Sequence, residues 1–493
     1  MVQAYSSKSM EAGNRHTPDL LVYDPPGTGK GHLVHYSITF VDEIYSRLVD
    51  HLLDGSKIEK AAYLLCGVSE SAQEIRLLAR EFLPVGQEEV IESSPVHMKI
   101  VSRSFLRAMK RADSSKQCFV FAHSHPPEIP RHSLQDDKEE ASLFSTAYNR
   151  IHSSRPHASL VFTGPQEVVG RVWLDDGSTP AIDVIRIVGN RLRFIFRSDA
   201  LQLDLTLYDR QVRAFGKDLQ GILRRLRIGI VGVGGTGSSV AEQLIRLGAE
   251  NILISDGERL DPSNVTRGYG SRLADAGSLK TALIERLGLE VGLGAKVRAI
   301  GRPITFQPVL REFRDCDVIF SCTDDQWGRS LLTRLSINYC IPVIDVGVRI
   351  NSKDGVVNSI QGRVTTLFPG GACLFCRGRI TSAGVRAEML AAVSPEEVER
   401  LRKEGYAPEL GEPAPAVIAF TTAVAAGAVS ELLHMLTGFM GTERASTEVI
   451  YRFDDCRVGP NSTKSKPDCF CSQRDNWAKG DQPNFLGLTW RKE

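Results

Sequence analysis

Through the first two hundred residues the apolar positions come in short runs separated by polar turns, with one longer period near the start. From Ser37 to about Asp54 the apolar spacing is close to 3.6 and predicts a helix, whereas AAYLLCGV (61–68) reads as a buried strand. CFVFAH (118–123), HASLVFTG (157–164) and VVGRVWL (168–174) continue a rhythm of strands, and DDGSTP (175–180) is a turn among them. Residues 31–197 therefore read as one α/β domain behind a polar segment, residues 1–30. A new unit opens near Leu207. LRIGIVGVGGTGSSVAEQLIRLG (226–248) is a strand, a glycine turn and a helix, and NILISDGE (251–258) is the next strand. CDVIFSCTDD (316–325) and CIPVIDVGV (340–348) are later apolar strands between helical patterns. This alternation predicts a doubly wound, Rossmann-like parallel sheet over residues 205–455, followed by a Cys-bearing tail over 456–493.

Length agrees with two domains, because 493 residues exceed what one core ordinarily holds. The 60 basic and 59 acidic residues nearly cancel, which gives no electrostatic reason to expect nucleic acid or a membrane surface. The stretch from Ala416 to Leu436 is apolar, but Thr421, Thr422, Ser430, Glu431 and His434 interrupt it, so a buried helix is expected rather than a membrane span. With no secretory pattern at the start and ten cysteines clustered as CxxC and CxC, a cytoplasmic protein with a bound metal is expected rather than a disulfide framework. YDPPGTGKGHL (23–33) imitates a phosphate-binding loop but has Asp24 where Gly is needed and Gly31 where a hydroxyl must hold magnesium.

Two histidines one residue apart, His123 and His125, can point to the same side of an extended segment, and Asp136 can add a carboxylate. Three protein ligands with an open fourth position are the arrangement of a catalytic zinc, which lowers the pKa of a water to about 7. Spacing alone leaves open that the three are simply neighbours on a surface loop. The longer pattern HSHPxxxxxxSxxD, as His123, Ser124, His125, Pro126, Ser133 and Asp136, resembles the signature of the JAMM (Mov34/MPN) metalloproteases, which cleave after the C-terminal glycine of ubiquitin and ubiquitin-like modifiers. The resemblance implies that His123, His125 and Asp136 hold zinc and that Ser133 hydrogen-bonds the developing oxyanion. It also implies a glutamate base just before an upstream strand ending in Gly. In EKAAYLLCG (59–67) the candidate is Glu59, one residue farther from Gly67 than usual, with Lys60 in the expected place; Glu59 reaches the site only through a local bulge. Without such an acid the front domain would bind a modifier tail and not cut it.

Gly232, Gly234 and Gly237 form GxGxxG at a strand-to-helix turn, and Asp256 follows at the distance of a ribose-binding acid. A nicotinamide dehydrogenase would present the same features. Arg267 and Lys280 near Asp256, with Asp324 closing VIFSCTDD, suit a triphosphate with Mg²⁺ better than a dinucleotide. YDRQ (208–211), GVGGTGS (232–238), DGERLDPSNVTR (256–267), Lys280 and CTDD (322–325) resemble the ubiquitin-activating superfamily, which includes adenylyltransferases of molybdopterin and thiamine synthesis. By that resemblance Asp256 binds the ribose of ATP, Asn264, Arg267 and Lys280 contact its phosphates, Asp324 holds Mg²⁺, and Arg210 reaches the triphosphate, often from the other subunit of a homodimer. A modifier's terminal glycine carboxylate would attack the α-phosphate to give an acyl-adenylate.

Cys373 and Cys376 are spaced for a zinc knuckle that Cys469 and Cys471 could complete, with a redox CxxC as the rival. No cysteine lies between Arg377 and Arg452, where many ubiquitin-activating enzymes carry a nucleophile, and Cys456 is the nearest unassigned thiol. Cys66, Cys118, Cys316, Cys322 and Cys340 are expected in the core. The adenylate is then expected to pass directly to a separate conjugating protein or sulfur donor. The joint expectation is a bifunctional enzyme for a small ubiquitin-like protein with a C-terminal glycine, resembling the fusions of bacterial ubiquitination-like operons, some associated with antiphage defence. Sulfur-carrier activation and a front domain that only docks the modifier are the alternatives.

Overall fold

A computed structural model describes residues 34–56, 58–94, 97–197, 206–392, 415–441, 444 and 446–490. The phosphate-loop imitation at 23–33, with Asp24 and Gly31, lies outside these residues.

The chain begins as β1 (His35–Val41) running straight into α1 (Asp42–Leu52), so the expected helix over Ser37–Asp54 is corrected to a strand followed by a shorter helix. β1 lies inside an eight-stranded sheet, parallel to β3 (Glu74–Pro84) on one side and to β9 (Val184–Val188) on the other. It is covered on both faces, and even Ser37 and Thr39 are buried, which erases the alternation that would mark a strand. Asp42 and Glu43 favour the helix start by their charge.

β2 (Ala61–Glu70) pairs antiparallel with β3 and with β6 (Cys118–Ser124). β6 runs parallel to β7 (His157–Gly164), which β8 (Glu167–Trp173) flanks antiparallel. β10 (Leu192–Phe196) closes the far edge beside β9, and β4 (Val90–Ser94) with β5 (His97–Ile100) forms a separate hairpin. One face packs on α1 through Ile38, Leu48, Leu64 and Val120. The other packs on α2 (Ser102–Ser114) and α3 (Leu134–Arg150) through Tyr63, Phe119, Met109 and Phe144.

In the second half α4 (Asp209–Phe215) and α5 (Lys217–Arg225) lead into β11 (Arg227–Val231), α6 (Gly235–Arg246), β12 (Asn251–Ser255), α7 (Lys280–Val291), β13 (Lys296–Ile300), α8 (Gln307–Glu312), β14 (Val318–Ser321), α9 (Gln326–Tyr339) and β15 (Val343–Lys353). The strand order β13-β12-β11-β14-β15 is parallel throughout and continues antiparallel through β16 (Val356–Leu367), β17 (Glu448–Arg452) and β18 (Arg457–Pro460). α10 (Ser382–Ala391) packs beside α9, while α11 (Ile418–Thr437) lies with α6 and α7 on one face of the sheet and α8 and α9 cover the other. This is the doubly wound sheet the sequence predicts. Its strand order reverses between β11 and β14, and a crevice forms beyond the strand ends at such a point. By length and apolarity α11 could cross a membrane, yet half of it is buried here, with Val424, Ala425, Ala428 and Leu432 in the core.

Residues after Cys456 are built into this fold. β18 extends the sheet, and Ala478, Phe485 and Leu486 join the core beneath α8 and α9. From Val34 onward the two halves form one compact unit.

Candidate functional site

In the front half, β2 and β6 pair without a bulge from Ala61↔His123 to Cys66↔Cys118, and Ser124 N–H donates to Lys60 O at 2.9 Å to extend the pairing. Strand alternation then sends Glu59, Ala61 and Tyr63 to the same face as Phe121, His123 and His125. The expected bulge is thus unnecessary. Lys60 points the other way and pairs with Asp54, while Glu59 Oε1 stands 3.5 Å from His125 Nε2. Ser133 is the N-cap of α3: its Oγ accepts from Asp136 N–H at 3.1 Å, and Asp136 Oδ2 accepts from Ser133 N–H at 2.5 Å. The cap locks Asp136 with Oδ1 3.4 Å from His123 Nε2 and Oδ2 3.4 Å from His125 Nε2.

The ligand atoms of His123, His125 and Asp136 lie within 4.8 Å of one another, and the two histidine Nε2 atoms face each other at 3.1 Å. His125 Nδ1 lies 3.2 and 3.1 Å from the carbonyls of Ile129 and Arg131, to which only an N–H can donate, so its Nε2 carries the lone pair. Burial lowers the pKa of His123, but the hydrogen bond and charge of Asp136 outweigh it and raise the ring above its usual value. Burial and that neighbouring ring lower His125. Asp136 is held below the carboxylate range, against burial, by His123 and by Ser133 N–H. Such a centre favours one cation between two imidazoles and a carboxylate, and the donor set suits zinc. Burial pushes Glu59 up to about 7, with Asp136 and Glu139 adding to the rise against the opposing charge of His123.

Directly behind this trio lie His132, Glu140 and Ser159, which carry no pattern in the sequence. They are 27 and 19 positions apart along their hydrogen-bonded chain, and no spacing marks them.

In the rear half the glycine turn follows β11. Gly232 has φ +82°, and a Cβ there would meet the Cys322 carbonyl at 2.9 Å; one on Gly237 would meet Gly232 O at 1.8 Å. Gly234 faces open space. Asp256, directly after β12, accepts Val233 N–H at 2.9 Å and Glu258 N–H at 2.8 Å, so it braces the turn. Burial raises its carboxyl despite those donors. Arg267 lies against Gly235, where a Cβ would come within 3.3 Å of its side chain. Asn264 belongs to a short 3₁₀ turn capped by Asp261. Lys280 opens α7, is nearly buried, and pairs with the exposed Glu258. Of the two acids after β14, Asp325 is committed as N-cap of α9, while Asp324 stands exposed. The switch point thus gathers the glycines, Asp256, Arg267, Lys280 and Asp324 at one end of the sheet.

Arg210 is not among them. It is exposed on α4, a helix fastened to the far end of α6 by Gln211 Nε2 to Arg246 O at 3.2 Å. α6 has 12 residues, so Arg210 is roughly 18 Å of helix from the glycine turn of its own chain.

The four cysteines converge. Cys373 Sγ is 3.7 Å from Cys376 Sγ and 3.4 Å from Cys469 Sγ, Cys376 Sγ is 3.6 Å from Cys471 Sγ, and all four lie within 4.8 Å. Lys466 N–H donates to Cys376 Sγ at 3.3 Å, as a thiolate would require, and the set fits a structural zinc. Cys66, Cys118, Cys316 and Cys340 are buried, Cys322 is half-buried beside the glycine turn, and Cys456 is exposed between β17 and β18.

Residues 41–174 match the prokaryotic homologs of the JAB domain, and residues 208–471 match the ThiF family, a span that reaches the second cysteine pair. The chain is 25% identical over 181 residues to the SAMP-activating enzyme E1 of Haloferax volcanii, covering 36% of this chain and 64% of that protein. It is 28% identical over 180 residues to the adenylyltransferase and sulfurtransferase uba4 of Aspergillus terreus, covering 34% and 37%. It is 35% identical over 149 residues to the tRNA threonylcarbamoyladenosine dehydratase of Bacillus subtilis, covering 30% and 58%. In each case the chain spans less than two thirds of the relative's length. The solved structure of E. coli MccB with ATP aligns with 84% of this chain and all of that one at 13% identity and TM-score 0.43. The chain belongs to the ThiF family, with a domain of the prokaryotic JAB kind fused ahead of it.

Proposed function

We propose that the chain is a bifunctional cytoplasmic enzyme that hydrolyses the bond after the C-terminal glycine of a small ubiquitin-like protein and adenylates that glycine with ATP. The observation that carries the reading is the pairing, in one compact unit, of the His123–His125–Asp136 trio facing Glu59 with a glycine turn at the switch point of the second sheet. It accords with the names of two relatives, a SAMP-activating enzyme and an adenylyltransferase and sulfurtransferase.

In the front half His123, His125 and Asp136 would hold zinc, which when bound supplies Lewis acidity to the scissile carbonyl and to water. Glu59, poised near neutrality by burial, takes a proton from water and returns one to the leaving amine. Ser133, at the start of α3, donates to the oxyanion with the helix N-terminus behind it. In the rear half Asp256 holds the ribose, and Asn264, Arg267 and Lys280 hold the phosphates once Lys280 exchanges Glu258 for ATP. Asp324 would hold Mg²⁺, and the glycine carboxylate displaces pyrophosphate from the α-phosphorus. Arg210 lies too far from its own turn and serves the crevice of a second copy, which makes the enzyme a homodimer. The acyl-adenylate passes to a separate conjugating protein or, in the sulfur-carrier reading, to a sulfur donor. A bacterial conjugation system, including one serving antiphage defence, is the setting in which both activities are useful.

Two assays on the purified full chain test this. With zinc present, a ubiquitin-like protein extended beyond its terminal glycine should be cleaved, and Glu59→Gln should lower cleavage by at least about a hundredfold. With ATP, exchange of pyrophosphate into ATP should depend on the free glycine tail and vanish in Asp324→Ala. No cleavage by wild type would reduce the front domain to a docking module, cleavage indifferent to Glu59→Gln would refute the hydrolytic assignment built on Glu59, and exchange surviving Asp324→Ala would refute the nucleotide assignment.

A further inference from the structure

The loop joining His125 to Ser133 is held from behind by a hydrogen-bonded chain that the proposed hydrolysis does not use. His132 Nε2 lies 3.1 Å from Ser159 Oγ, and Ser159 Oγ lies 2.6 Å from Glu140 Oε2. The same carboxylate oxygen receives Arg171 Nε and Nη2 at 3.0 and 2.7 Å and Trp173 Nε1 at 3.1 Å. Glu140 is only 2% exposed and is surrounded by groups that can only donate, so it accepts from Ser159 as well. With its proton directed at Glu140, the Ser159 oxygen must accept from His132. The donors therefore run in one direction and fix His132 as the Nε2–H tautomer. Glu140 Oε1 makes no hydrogen bond and lies 3.9 Å from His132 Nε2, a second acceptor beside the ring.

Each member of this chain adjoins a residue of the trio, its cap or the strand that carries it. His132 directly precedes Ser133. Glu140 follows Asp136 by four residues and so shares its face of α3. Ser159 lies on β7 opposite Phe121 of β6, two residues before His123. The His132 and His123 rings meet edge to face with centroids 6.5 Å apart. From the other side, His125 Nδ1 grips the carbonyls of Ile129 and Arg131 in the same loop. Helix, strand and loop are thereby tied at a point directly behind the metal ligands.

We propose that His132, acting through Ser159 and Glu140, is a positioning residue for the trio: it fixes where Ser133 and Asp136 stand relative to His123 and His125, and so sets the affinity of the site for its metal. This rests on reading the trio as a metal site. Removing hydrogen-bonded partners behind metal ligands typically weakens metal binding 10–100-fold.

The test uses the full chain, stripped of metal, with the four-cysteine cluster refilled by one equivalent of Zn²⁺ and a second equivalent of Co²⁺ titrated while its visible absorption is followed. Wild type should take up the Co²⁺, and His123→Ala should abolish uptake. His132→Ala and Ser159→Ala should each weaken it by about 10–100-fold. The double variant should be no weaker than either single one, because all three break the same chain. His132→Gln, whose amide can still donate to Ser159, should restore affinity to within about threefold of wild type. Should His132→Ala prevent folding, Ser159→Ala decides alone, since losing one hydroxyl leaves the packing intact. Affinities of the Ala variants within about twofold of wild type, additive losses, or no rescue by Gln would overturn the positioning role. Failure of wild type to bind Co²⁺, or binding unaffected by His123→Ala, would instead refute the metal reading on which the role depends.

Discussion

A buried imidazole away from the candidate chemistry contributes to how the front domain answers acid. His157 is fully buried, its Nδ1 accepts Phe119 N–H at 3.2 Å, and its Nε2 has no partner. Burial, helped by the charge of Arg155, pushes its pKa down to about 4 from an ordinary 6.5. The folded state therefore holds the neutral ring more tightly than the unfolded state does. Its contribution is complete above pH 6.5 and is lost as pH falls toward 4, by on the order of 3 kcal/mol at the limit. His157→Asn keeps an acceptor for Phe119 and cannot titrate in this range. Urea unfolding at pH 7 and at pH 4.5 should show wild type losing about 2 kcal/mol more than the variant, and equal losses would refute the assignment. The sequence contains this histidine without hinting at its state, because the state comes from β7 being covered on both faces. Glu59 shows the opposite limit. Its identity was legible, but its expected route through a bulge was not, since counting residues to Gly67 says nothing of the face on which Lys60 lies.

At the level of elements, the segment from Trp477 to Asp481 straps the two halves together. Val68 and Gly480 form a parallel bridge, Asp481 N–H donates to Val68 O at 2.6 Å, and Ala478 and Gly480 N–H donate to Ile337 O and Asn338 O at 3.1 and 2.9 Å. The strap is thus wedged between β2 and α9, and it begins a few residues after the cysteine pair. Close approach demands glycine at Gly480, where φ is +64° and a Cβ would stand 2.0 Å from Val68 O. Gly487 shares nearly the same φ, +67°, with nothing within 4 Å, so Gly487→Ala isolates the backbone strain. Gly480→Ala should lower urea stability by about 1–3 kcal/mol more than Gly487→Ala, and equal effects would show that the strap is not wedged. None of this was legible as a tail of polar residues and cysteines. The paired strands and glycine turn of the rear sheet were, because each is written locally in a strand, its turn and the next helix. β1 was misread as helix because a strand buried on both faces has no alternation to display, and its apolar run continues into α1.

For the whole molecule the decisive contact is a buried charge cluster that no local pattern records. Glu74 on β3 accepts from Ser37 Oγ at 2.5 Å, Arg76 Nη2 at 2.9 Å and Arg186 Nη1 at 2.8 Å, and it also pairs with Arg227 from β11 in the rear half. Arg186 Nε reaches Asp317 at 2.6 Å, and Arg76 Nη1 and Nη2 donate to the carbonyls of Cys316 and Asp315 at 3.2 and 3.3 Å. Burial would raise the Glu74 carboxyl, but Arg186, Arg76 and Arg227 hold it well below the carboxylate range. Such a depressed acid stabilises the fold above its ordinary pKa and loses that contribution as pH falls through the carboxylate range. Removing it takes the shared counter-charge from buried Arg76 and Arg186 and from half-buried Arg227, and losing one partner of a buried pair costs about 3–5 kcal/mol. Arg191 adds a second tie, donating to Met435 O and Leu436 O at 3.0 Å at the end of α11. Because these contacts join β1, β3 and β9 to the rear sheet, wild type should unfold by calorimetry in one transition. Glu74→Ala should separate it into two, with the front half melting first, since Glu74, Arg76 and Arg186 all lie inside the front sheet. A single transition shifted as a whole would mean that the remaining contacts suffice to couple the halves, and no shift would mean that the cluster does not join them.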